Sequence, residues 1–154
     1  MIKVIFVFIL LLSSFFTQIS YAENTEDIIK YRKNIMKAIG NHISIIAANI
    51  KGKVSINEDI LPHSQSILLT LSSINITKTF PENTGPNHSS TTKSLESIWS
   101  EKDLFSIAMK DSVEKAKDLV LSAESGDRQN IAKSLGALGK TCGSCHNKFR
   151  KKKN

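Results

Sequence analysis

The chain has 154 residues, 40% of them hydrophobic and 23% charged, with 21 Lys and Arg against 14 Asp and Glu and a formal charge of +7. That is room for one domain with a proper core and too little for two. Seven Gly and three Pro exclude a low-complexity disordered chain, and two cysteines, Cys142 and Cys145, exclude a disulfide framework. The basic balance does not by itself make a nucleic-acid binder.

Residues 1–22 read as a secretory signal peptide. Lys3 supplies the positive start, residues 4–12 form an unbroken apolar run, and Ser20, Tyr21 and Ala22 offer small residues around a cleavage point. The run is shorter than the roughly 18–20 residues that span a bilayer, and Ser13, Ser14, Thr17 and Gln18 interrupt the stretch after it. Cleavage there exports a domain of residues 23–154 to the periplasm with no stable membrane anchor.

The rest of the chain predicts four helices and no strand. In residues 24–51, Ile28, Ile35, Ile39, Ile43 and Ile46 recur at helical spacing, with Asn24 as cap and Gly52 as stop. Ser55 and Glu58 suggest a capping box for a second helix through Ile60, Ile67, Leu71 and Ile74, which Pro62 should kink or delay. Residues 77–95 are polar and broken by Pro81, Gly85 and Pro86; so long a loop in a small domain often lies beside a site. A third helix opens near Ser100, with Trp99 stapled onto Leu104, and runs to Gly126. Asp127 caps a fourth, where Ile131, Leu135, Leu138, Cys142, Cys145 and Phe149 share a face. The expected architecture is all-α, an antiparallel four-helix bundle.

Cys142-Gly143-Ser144-Cys145-His146 decides the chemistry. Two thiols one helical turn apart can add to two vinyl groups on neighbouring pyrroles, and the following imidazole then lies under the iron, so the motif predicts one covalent haem c. A thioredoxin-type dithiol would need a β-α-β setting. A structural zinc site would need four converging ligands, and His42, His63 and His88 are scattered. A plain disulfide leaves His146 unexplained. Gly139 and Gly143 share the His146 face, as a flat macrocycle or a close helix would require.

A sixth ligand must come from upstream, because neither Met nor His follows His146. The candidates are Met36, Met109 and the three other histidines. Met36 lies on one stripe with Arg32, Ile39 and Ile43, where its sulfur could bind iron and the Arg32 guanidinium could pair with a propionate; it could also be core filling. Met109 looks like such filling, His42 falls at the bundle edge, and His63 and His88 read as solvated surface.

The sequence resembles the class II c-type cytochromes, cytochrome c prime and its low-spin, methionine-ligated relatives. The resemblance rests on Tyr31-Arg32 with Ile35-Met36, on Ile50-Lys51-Gly52, on Ile98-Trp99 with Phe105, and on the C-terminal motif followed by Phe149-Arg150. It implies a four-helix bundle, a periplasmic location and a homodimer, with Cys142, Cys145 and His146 holding the haem. It also implies that Arg32 and Arg150 lie near the haem, and that Thr92, in a weaker match, belongs to the loop approaching the propionates. Lys33 departs from the Gln that members often carry. In the family the Met36 position is either the iron ligand or a side chain capping an open site, and Met36 is favoured here as ligand. The leading functional expectation is an electron carrier, not an enzyme, whose Lys151–Lys153 tail steers it to acidic redox partners. The alternative is a five-coordinate protein binding nitric oxide or carbon monoxide behind Met36, Ile39 and Ile43. Export and the lack of any reading motif argue against nucleic acid.

Overall fold

The computed structural model describes residues 24–152, so the expected signal peptide lies outside the described residues. Four long helices form the frame: α1 (Thr25–Ile50), α2 (Ile60–Ser72), α3 (Lys102–Ser125) and α4 (Arg128–Phe149). Single helical turns occupy Asn57–Asp59, Ile76–Thr79 and Ser97–Ser100. No strand forms among the described residues; one isolated antiparallel bridge joins Ser94 to Arg150.

The helix ends follow from their local chemistry. Asn24 accepts the Glu26 N–H at the start of α1, and Gly52, at φ +67°, takes the left-handed turn beyond its end. Gly126 at φ +70° stops α3, and Asp127 at once caps α4 by accepting from the Gln129 and Asn130 N–H groups. A connection this short makes α3 and α4 antiparallel neighbours.

Two expected starts differ. The Ser55–Glu58 capping box does not form: Asn57–Asp59 is a 3₁₀ turn, and α2 begins at Ile60. Pro62 therefore falls third in the helix, where its missing N–H has no intrahelical acceptor to lose. Its effect is to delay the helix, leaving α2 at 13 residues, shorter than the pattern suggested. At α3 the cap is Glu101 rather than Ser100, and Leu104, the expected staple partner of Trp99, is 47% exposed. The Trp99 indole N–H donates to the Phe80 and Pro81 carbonyls, at 3.1 and 3.0 Å.

Every long helix contributes to one core, built on Ile39 and Ile46 of α1, Ile60, Ile67 and Leu71 of α2, Ala116 and Leu119 of α3, and Ile131 and Leu138 of α4. A second, aromatic cluster forms at one end of the bundle. Phe105 meets Phe80 and Phe149 edge-on, at centroid distances of 4.9 and 5.1 Å, with Ile98 and Met109 packed beside them. Met109 is thus the core filling its spacing suggested. Contact between neighbouring helices is extensive around the bundle except on one side, where α1 and α4 touch least.

Candidate haem site

α4, one of the two helices on that side, carries the candidate motif. Cys142 and Cys145 lie a turn apart on α4 as free, half-buried thiols. Cys142 leans on the main core and Cys145 on the aromatic cluster, so the motif straddles the junction of the two. Burial raises the pKa of both thiols, which favours their protonated form at neutral pH. His146 is exposed, and partial desolvation, with the Arg150 guanidinium second, lowers its pKa. Its imidazole is accordingly neutral at pH 7, the form that binds a metal.

The glycines of α4 resolve one of the two readings of their spacing. A Cβ on Gly136, Gly139 or Gly143 would meet nothing within 4 Å. Close helix packing therefore does not explain them, while a flat ligand laid along this face would. Gly40, one turn after Met36 on α1, is open in the same way. Gly85 is the opposite case: a Cβ there would come within 2.9 Å of the Trp99 ring. It is the loop glycine that close approach requires.

Arg32 is the most unusual side chain of the domain. It is 3% exposed, yet no carboxylate meets it among the described residues. Its Nη1 donates to Thr84 Oγ1 at 2.8 Å, and its Nη2 to the Thr84 carbonyl and Thr92 Oγ1, both at 2.6 Å. The guanidinium also lies over the rings of Phe80 and Trp99, 5.3 and 5.9 Å from their centroids. Burial pulls its pKa down to about 10, so it stays charged at pH 7. A buried cation bonded only to neutral oxygens, with three of its five donors engaged, is electrostatically suited to one further anion. A propionate would supply that charge.

The loop between α2 and α3 is held over this arginine by several ties. Glu26 of α1 accepts from the hydroxyls of Ser89 and Thr91, which lower its pKa. The Leu95 N–H donates to the Phe149 carbonyl at 2.9 Å, and the Lys151 N–H to the Lys93 carbonyl at 2.8 Å. Arg32, Thr92 and the Arg150 backbone thus belong to one end of the bundle. The Arg150 and Lys33 side chains are exposed. Sequence reasoning missed Thr84, which takes two of the three Arg32 bonds, and the Glu26–Ser89–Thr91 clasp. Their one signal was the run of Ser and Thr in the loop.

Met36 is half-buried and packs against the main core, as do Ile43 of α1 and Cys142 of α4. Ile39 is fully inside that core. The residue groups fit a covalent haem: two thiols and a neutral imidazole on one helix, an open glycine face beside them, a thioether on the opposing helix and an uncompensated buried cation.

A four-helix bundle with a C-terminal C-x-x-C-H motif defines a class II c-type cytochrome. The chain matches the family model for Cytochrome C' over residues 27–150. It is 34% identical over 125 residues to cytochrome c' of Pararhodospirillum photometricum, covering 81% of this chain and 97% of that protein. The chain belongs to the cytochrome c' family, whose cofactor is one covalently bound haem c. Among solved structures, cytochrome c' described as from Rhodobacter Spheriodes superposes with a TM-score of 0.78 at 22% identity, covering 84% of this chain and 99% of that one. A nitric oxide complex of a mutant cytochrome c prime from Alcaligenes xylosoxidans superposes at 0.74 and 20% identity, covering 85% and 98%. Both share the four-helix bundle.

Proposed function

We propose that this protein is an exported mono-haem electron carrier, with the haem joined to Cys142 and Cys145, His146 as proximal ligand and Met36 as distal ligand. The observation that carries this reading is the position of Met36: a half-buried thioether on α1 that leans on the same core as Cys142 on α4. The bound haem supplies a one-electron iron couple, whose potential a thioether ligand raises. His146 offers a neutral nitrogen, Arg32 balances a propionate, and the loop of Thr84 and Thr92 holds Arg32 in place and keeps water from it. Arg150, Lys151 and Lys152 form an exposed positive end, suited to an acidic redox partner at low ionic strength. Periplasmic delivery rests on residues 1–22. A homodimer would cover some of the exposed apolar side chains, among them Tyr31 and Leu69, 57% and 72% exposed.

A second reading has its own support. The open space beside Gly40, one turn from Met36, leaves room for a small gas to reach the distal side, and one structural relative is described as a nitric oxide complex. The test is Met36→Ala in the holoprotein. Loss of a low-spin spectrum with new carbon monoxide binding supports the carrier; an unchanged spectrum means that Met36 is no ligand.

A further inference from the structure

His42 was expected at the bundle edge and His63 at the solvated surface, and they are not independent. Their Nδ1 atoms lie 2.8 Å apart and their rings 4.9 Å apart at 41°. The two are placed alike. His42 sits three residues after buried Ile39 and four before buried Ile46, and His63 stands in the same relation to Ile60 and Ile67. Each imidazole therefore borders the core stripe of its helix, and the pair closes the seam between α1 and α2. Both rings are half-buried.

We infer that His42 and His63 form a two-nitrogen site for a divalent transition-metal ion of tetragonal preference, copper(II) foremost, with solvent completing its coordination. The separation is that of a hydrogen bond in the metal-free protein, and it suits a shared metal once both rings turn their Nδ1 lone pairs onto one ion. Two nitrogens 2.8 Å apart, each about 2.0 Å from a metal, subtend about 90° at it. That is the angle between neighbouring positions of a square-planar or tetragonal centre, which copper(II) and nickel(II) favour with nitrogen ligands. A tetrahedral zinc ion would want its nitrogens about 3.3 Å apart. Imidazole suits copper, and copper(II) stands at the top of the divalent affinity order.

The proton count allows it. Without metal, one ring carries its proton on Nδ1 and donates to the bare Nδ1 of the other. On binding, that ring takes its Nε2–H tautomer, both Nδ1 lone pairs go to the metal, and no net proton is lost. Burial and the neighbouring His63 lower the pKa of His42, which favours its neutral, metal-binding form at pH 7. No third His, Cys, Asp or Glu joins the pair among the described residues, so two of the four equatorial positions belong to solvent. The site is separate from the Cys142–His146 motif and does not rest on the electron-carrier reading.

The experiment is a titration of the ferric holoprotein with copper(II) chloride, read by calorimetry and electron paramagnetic resonance. The native chain should bind one copper per protein, with hyperfine structure from two imidazole nitrogens. His42→Ala and His63→Ala should each weaken binding at least 30-fold while leaving the haem spectrum unchanged; His88→Ala, an exposed control, should bind as the native chain does. A copper spectrum with one imidazole nitrogen or none overturns the inference without any variant. Undiminished affinity in either histidine variant overturns it as well.

Discussion

Replacing Arg32 by Met separates the role of its charge from that of its bulk. Met keeps much of the volume and removes all three donated bonds. Two of the acceptors are not left alone: Thr84 Oγ1 still donates to the Pro81 carbonyl, and Thr92 Oγ1 still accepts from the Ser94 N–H. The Thr84 carbonyl does lose its partner, at roughly 1–3 kcal/mol for a buried acceptor left unsatisfied. Lost contact of the cation with Phe80 and Trp99 adds about 0.5–2 kcal/mol. Against this, the variant no longer buries a charge that burial already disfavours. The net expectation is a loss of about 2 kcal/mol, or a fall of about 5–10 °C in the unfolding midpoint of a domain this size. The assay is urea unfolding of the holoprotein, with the midpoint potential measured in parallel. Removing a positive charge beside the haem should lower that potential, since the ferric state then meets less repulsion, and Arg32→Lys should restore part of it. A variant as stable as the native protein with an unchanged potential would refute the reasoning. It would mean that the buried charge costs as much as its bonds return, and that no propionate depends on it.

Gly139→Ala should stabilise the haem-free protein by about 0.5–1 kcal/mol, because the new Cβ meets nothing, whereas Gly139→Leu should cut haem incorporation measured as bound haem per chain. Leu138→Ala removes a side chain with no exposure at all from the point where α4 enters the core; denaturant unfolding should show a loss of about 2–5 kcal/mol. His42 has a folded pKa below its ordinary value of 6.5, so the unfolded chain binds its proton first. Stability should accordingly fall as pH drops from 6.5 toward the lowered folded pKa and then level off, with a shallower fall in His42→Gln. Thermal midpoints of the metal-free protein between pH 7.5 and 5 check this.

Much of the bundle was written in its isoleucines. Ile39, Ile46, Ile60, Ile67 and Ile131 are buried where their spacing put them, and Gly52, Gly126 and Asp127 end or begin helices as their chemistry requires. The capping box failed because Asn57–Asp59 closes as a 3₁₀ turn and the Ile56 N–H beside it is taken by Asn49 Oδ1, and Trp99 is positioned by backbone acceptors 18 and 19 residues away that no local pattern announces. The haem motif was legible because its five residues are contiguous. The surroundings of Arg32 were legible only in part, since Thr84 and Thr92 lie 52 and 60 residues from it and no periodicity connects a loop to a helix. His42 and His63 escaped for a similar reason. Each looks like an edge residue on its own helix, and only the pairing of α1 with α2 brings their rings together.

The central claim is a covalent haem held by Cys142, Cys145 and His146 with Met36 closing the distal side. Its most direct measurement is the optical spectrum of the purified holoprotein, oxidised and reduced, with and without carbon monoxide. The account predicts a low-spin spectrum with a methionine–iron band in the oxidised state and no response to carbon monoxide. A high-spin spectrum that shifts on adding carbon monoxide would contradict it and give the site to a gas ligand.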